Sequence, residues 1–448
     1  MMIRVVLVVG LLVLAGACSR PGVPSTLESS TSPATSPAPA PTASTTSTTS
    51  TVTPPPAPAV LDERPLWSGA VTSRPGELGA TFVGDALVQV GLEGGEDYRR
   101  TLSVVDAATG KVRWSLREEA ALGGDGARLG FVTYHTTVLD ADGDWSVVVQ
   151  YEKAVTMPSG KPGREEGLAA LSGADGSVRW RFPVLTDRRL GPATGEPWSN
   201  LTSFRANERY AVALVTRNGA RNERTADTWI GFDLASRQKL WEVPWAAADG
   251  RFDLAGDMVV GDVTPVGKPV PELTGAGVKI VAGVDAATGR TRWTTAETPP
   301  SGTSGLTGTG VLITTGERGA QRVTLVDPVT GDQLWDPELT LTATDVRCRA
   351  GTRLLACHDD DGGIVVLDPA TRKSTRFEPE SGYELSRIWE DRLVLVAREE
   401  SALITDRDGN PLVTPLPGVI RDLDADHVAV VVQEDPERGR LAVHRLPL

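Results

Sequence analysis

Beyond residue 60 the apolar residues come in short runs, some alternating with polar positions and some unbroken. RYAVALVTRN, GVLITTGER and RLVLVAREE are examples, each ending in polar or turn-forming residues. Runs of this kind predict β-strands that bury one or both faces. One unit recurs among them. An apolar run ends at Asp, two residues and Thr-Gly follow, and Trp comes after three more. Asp106, Thr109, Gly110 and Trp114 make one copy; Asp285, Thr288, Gly289 and Trp293 another; Asp327, Thr330, Gly331 and Trp335 a third. In a fourth, Ser172 stands first, with Asp175, Gly176 and Trp180. In a fifth, Asp233, Ser236 and Trp241 are kept and Arg237 replaces Gly. Two copies are decayed: Asp368 and Thr371 with Arg372 and Arg376, then Asp408 and Gly409 with Val413.

The unit predicts a β-hairpin. Asp and Thr hydrogen-bond nearby backbone and close the turn. Gly supplies the positive φ that the turn needs. Trp then stands at a fixed place on the outgoing strand, where an aromatic of its size buries about 150–250 Å² against a neighbouring unit. Trp67 follows an outgoing strand, 61–67, that has no incoming partner, and 441–448 is an incoming strand with no outgoing one. Joined, the two ends make one more hairpin. Eight units of four strands, about 49 residues apart, predict a closed all-β ring, an eight-bladed β-propeller. Seven blades is the alternative, if a decayed copy is not a blade of its own.

These units resemble the repeats of pyrroloquinoline-quinone-type (PQQ-like) propellers over about 61–448. The resemblance implies the fold and leaves activity open. Quinoprotein dehydrogenases of this fold carry a calcium site, a catalytic Asp and, in many members, two adjacent Cys. No two Cys are adjacent here. No cofactor is expected, with the quinone and calcium kept as the alternative. Other PQQ-like members are lipoproteins that scaffold outer-membrane protein assembly through sheet edges and loops.

The amino terminus changes the picture of location. Arg4, an apolar run from Val5 to Leu14 and small residues before Cys18 read as a secretory signal. Leu14-Ala15-Gly16-Ala17-Cys18 resembles a bacterial lipobox, which implies lipidation at Cys18. Leu14 stands four places before the Cys, where the commonest version has Leu three before. Residues 19–60 are Ser/Thr/Pro/Ala-rich, too poor in bulky apolar groups to fold, and expected to be a disordered stalk. Extended, such a stalk reaches about 130 Å. The expected organisation is therefore a signal peptide at 1–17, a lipidated stalk at 18–60 and a propeller at 61–448.

Composition narrows the chemistry. The net charge of −13 opposes a nucleic-acid partner. Cys348 and Cys357 flank an Ala350-Gly351-Thr352 turn and would face each other on one hairpin. Outside the cytoplasm this predicts a disulfide, against two separate buried thiols. The acidic clusters at Asp140–Asp144, Asp359–Asp361 and Asp422–Asp426 lack the Gly and Glu of an EF-hand loop and read as turns. His135, His358, His427 and His444 show no ligand spacing. Residues 154–168, 186–200 (with Arg188, Arg189 and Trp198) and 218–228 look like long loops. Function often sits on such loops, although drift of surface connections is the simpler account. The expectation is a lipid-anchored, extracytoplasmic, monomeric binding or scaffold module for a protein or envelope component. A quinone-dependent dehydrogenase and a small-ligand sensor are the alternatives.

Overall fold

The computed structural model describes residues 58–59, 64–71, 79–92, 100–130, 137–139, 144–187, 198–219, 224–268, 278–297, 301–307, 310–316, 321–337, 340–341, 348–358, 362–380, 382–397, 401–413, 415–435 and 438–446. The signal, Cys18 and most of the expected stalk lie outside them. One compact unit runs from Pro55 to Leu448.

Eight antiparallel sheets follow one another along the chain. Numbered in order, blades 1 to 7 span 79–117, 127–187, 198–245, 247–294, 301–341, 348–377 and 383–417. Blade 8 takes three strands from 419–445 and its outer strand from the other end of the chain, Trp67–Val71. Trp67 pairs with Val443 and Val71 with Gly439. The termini thus share a blade, and the count is eight. The outgoing strand starts at Trp67 instead of ending there. The reason is that the repeated Trp sits early on its strand, as Trp114 does on Val112–Arg117.

The core is distributed between blades. Because strand side chains alternate, each middle strand feeds two interfaces. Leu355 and Cys357 pack toward blade 5, while Leu354 and Ala356 pack toward blade 7. Each of the eight junctions, including that between blades 8 and 1, has its own apolar cluster.

The repeated Trp is the staple across these junctions. Its indole N–H donates to a carbonyl in the next blade's hairpin turn: Trp67 to Ala107 at 2.7 Å, Trp114 to Gly173 at 3.0 Å, Trp241 to Ala286 at 2.7 Å and Trp293 to Pro328 at 2.9 Å. The ring lies on that turn's Gly. A Cβ at Gly289, where φ is 70°, would stand 2.6 Å from Trp241 Cγ. Gly therefore serves the turn's φ and also seats the neighbour's ring. Two turns lack it: Arg237 and Arg372 hold φ of 59° and 52° with full side chains. In the decayed sixth copy Arg376 takes the Trp place, yet Phe377 beside it supplies the ring over Gly409.

The motif carboxylates close their own turns. Asp106 Oδ1 accepts from Thr109 N at 2.9 Å and Thr109 Oγ1 at 2.7 Å, and Asp285 and Thr288 repeat the pattern. Asp327 accepts from Thr330 N, and Asp175 from Ser177 N. Hydrogen bonds from Thr109 and Arg113 hold the Asp106 carboxyl below its usual range. Arg292 and Thr288 do the same for Asp285. A carboxyl whose pKa is lowered by folding takes up its proton more readily when unfolded, so its contribution is present above the unfolded value of 3.8 and lost below it. Thermal melts should show a midpoint little changed between about pH 5 and 8 and falling below about pH 4.

Candidate binding face

Antiparallel blades put all first-to-second and third-to-fourth strand turns on one side of the ring. The second-to-third hairpins and the crossings between blades lie on the other. The Asp-Thr-Gly turns occupy the first side. The described ends of all three segments read as long loops belong to the second, around blades 2 and 3. The reading of 154–168 as a loop is corrected: Ser146–Thr156 and Pro162–Ser172 are paired strands, and the turn is confined to 157–161. Pro162 is tolerated because it opens its strand. This hairpin overhangs the inner strand, whose pairing stops at Ala127–Lys153. Pro158, Ser159 and Gly160 at its tip are exposed. Trp198 starts the inner strand of blade 3, while 188–197 (with Arg188 and Arg189) and 220–223 lie outside the described residues.

Below this face runs a series of ion pairs whose carboxylates are buried. Glu166 is 2% exposed, accepts from Leu201 N of blade 3 at 2.6 Å and pairs with Arg164 at 2.5 Å. Asp227 is fully buried, accepts from Ala248 N of blade 4 at 2.5 Å and from Arg224 Nε at 2.9 Å. Asp262, 1% exposed, pairs with Lys279 at 2.8 Å and lies beside Gly302 of blade 5. The first two acceptors meet the next blade's inner strand where its register slips, at Leu201/Ser203 and Ala248/Phe252. His358 Nε2 does the same for Leu385 N of blade 7 at 2.6 Å, beside the slip at Leu385/Arg387. A bulge frees a backbone N–H that must find a buried partner; here the preceding blade provides it.

At the root of the overhanging hairpin, Tyr151 donates to Glu165 at 2.8 Å, and burial pushes its hydroxyl above the usual phenol range. Arg181 lies over the Tyr151 ring, 5.4 Å from its centroid. Lys153 at 2.7 Å and Arg181 both bind Asp125 and hold that carboxyl low. Each buried acid thus has its cation, and the face stands on a fixed, charge-balanced base. Asp227→Asn should keep the shape but weaken the bonds to Arg224 and Ala248, costing about 1–2 kcal/mol. Urea denaturation measures it.

Sequence reasoning missed Glu166 and Asp227 because it took their segments for loops. The available signal was phase: Glu166 is in step with Leu168 and Ala170, and Asp227 with Trp229 and Gly231. Period two turned these acids inward.

Cys348 and Cys357 are register partners joined by a disulfide, buried in the junction of blades 5 and 6. Among the described residues of the acidic clusters, Asp422 and Asp424 have partners of their own. Asp422 pairs with Arg387 of blade 7 at 2.8 Å and accepts from Phe82 N of blade 1 at 2.7 Å, so it ties blade 8 to both neighbours. Burial pushes its carboxyl up. Asp424 caps the turn before His427. Asp140, Asp142, Asp359, Asp360, Asp361 and His135 lie outside the described residues. Among the described residues no three His, Cys, Asp or Glu come together as a metal cage. Nor do the cysteines offer the adjacent pair of the quinone enzymes, being cross-strand partners in a closed interface.

Residues 277–390, from just before the third strand of blade 4 to the end of the first strand of blade 7, match the PQQ_2 family model, described as outer membrane protein assembly factor BamB. The chain is an eight-bladed β-propeller in which this stretch carries the PQQ-type repeat match. The chain is similar to BamB from Moraxella catarrhalis, at 13% identity and a TM-score of 0.43, over 87% of this chain and 98% of that one. Quinohemoprotein alcohol dehydrogenase from Comamonas testosteroni is similar at 11% and 0.46, over 87% and 78%. The β-propeller domain of the Trilobed protease from Pyrococcus furiosus is similar at 12% and 0.38, over 75% and 96%. Each likeness is one of fold. No curated protein matches the chain.

Proposed function

We propose that this PQQ-like propeller is a lipid-anchored extracytoplasmic module that binds a protein or envelope component through the hairpin face of blades 2 and 3. The observation that carries the reading is the overhanging hairpin of blade 2 on its base of ion pairs with buried carboxylates. Rigidly mounted loops and hairpins are where scaffolds of this kind place recognition. The PQQ_2 match, described as an assembly factor, supports a protein partner. The disulfide supports an oxidising compartment. The signal and Cys18 supply the anchor, the Pro-rich stretch the stalk, and the ring acts as a monomer without the quinone.

Two measurements test the reading. Cys18→Ser should move the protein from the membrane fraction to the soluble extracytoplasmic fraction; retention on the membrane would contradict the anchor. Titration with pyrroloquinoline quinone and calcium should leave the melting temperature unchanged. A saturable upward shift would overturn the binding-module reading in favour of the dehydrogenase.

A further inference from the structure

We infer that Ala59 forms a latch on the outer edge of blade 7 and thereby holds the chain's first strand in blade 8. Blade 7 has a meagre outer strand. Leu416–Pro417 pairs only with Ser401 and Ala402, and Pro411 makes an isolated bridge to Thr405. Leu412 N donates to Ile404 O at 2.8 Å, while its carbonyl oxygen takes a partner outside the blade. Ala59 takes that edge. Its N–H donates to Leu412 O at 2.8 Å, it bridges Val413 in parallel, and its side chain packs against the apolar cluster between blades 7 and 8. The occupant of the edge is thus a segment of this chain.

The position gives the contact its purpose. Val413 holds the place in blade 7 that Trp67 holds in blade 8, so the chain touches two neighbouring blades at equivalent points within nine residues. The ring is closed by five residue pairs, Trp67↔Val443 to Val71↔Gly439. Short edge strands at a terminus fray first. A chain that ran directly from Trp67 into solvent would peel this strand from its end. With the latch, Leu66 N bonded to Val443 O at 2.7 Å is followed by a second attachment on blade 7, and disturbance from the preceding chain stops there. Sealing the edge also removes a template for pairing with another chain. The inference holds whether or not the chain is anchored by lipid.

Amide hydrogen exchange on the full mature chain tests it. The Ala59 amide should exchange at least about tenfold more slowly than those of the Ser/Thr-rich stretch 43–52. Ala59→Pro removes the donor and should speed exchange of Trp67–Val71 at least about tenfold, leaving blades 2 to 5 unchanged. Ala59→Asp keeps the donor but puts a charge against the apolar cluster, and should raise exchange of 67–71 in the same direction. An Ala59 amide exchanging as fast as 43–52, or exchange of 67–71 unaltered in both variants, would overturn the latch.

Discussion

Trp241→Ala is expected to destabilise the propeller by about 3–5 kcal/mol, the range for deleting a large buried aromatic. Trp241 is 8% exposed and belongs to the apolar cluster between blades 3 and 4. Its loss empties a cavity there and leaves the Ala286 carbonyl without the indole donor at 2.7 Å. The ring is held between two glycines. A Cβ on Gly231, its partner across the strands, would come within 2.1 Å of it, and one on Gly289 in the next blade's turn within 2.6 Å. Gly289→Ala should therefore be costly in the wild-type background, about 3 kcal/mol from overpacking and left-handed strain together. Without the indole only the strain of φ 70° remains, about 1 kcal/mol. The double variant should be more stable than the sum of the two single losses by about 2 kcal/mol, the coupling read from a double-mutant cycle in urea. Strict additivity would mean that the ring does not rest on that turn.

Removing the disulfide is the second large effect expected. Cys348 and Cys357 close a loop of nine residues between directly opposed strands, and both are buried. Constraint of the unfolded chain over so short a loop is worth about 2.5–3 kcal/mol. Cys348→Ala with Cys357→Ala should lose about that amount, with the loss seen as a lowered denaturation midpoint. The junction of blades 5 and 6 has Leu312, Val323, Leu325, Leu355, Val365 and Leu367 to retain the fold. A variant as stable as the parent would show that the cross-link adds nothing to blade packing.

Much of this was legible in the sequence for a definite reason. Each blade repeats one hairpin whose turn needs Asp, Thr and Gly at fixed steps, and whose Trp must reach the next blade. Those demands are local, so they survive as spacing even in weak copies. Trp67, stranded at the amino terminus, announced the shared blade because the same spacing from 441–448 was missing its second half. Other features depend on contacts between blades and leave no local spacing. Glu166, Asp227 and His358 lie on second or third strands, each at its own position, and what they share is the bulge they serve. The second role of Gly289 and Gly331 was hidden for the same reason: the ring above each belongs to another repeat. The 154–168 segment misled because Pro158 and Gly160 in the turn are followed at once by Pro162 and Gly163, which nevertheless pair with Thr156 and Val155.

The proposed role rests on which side of the ring meets a partner, and site-specific photo-cross-linking in intact cells asks that directly. A photo-reactive residue in place of Ser159, at the exposed tip of the blade 2 hairpin, should give a discrete adduct with one protein or envelope component. The same residue in place of Val329, 58% exposed on the Asp-Thr-Gly turn side, should give none. Adducts from position 329 with none from 159 would contradict the assignment of the binding face.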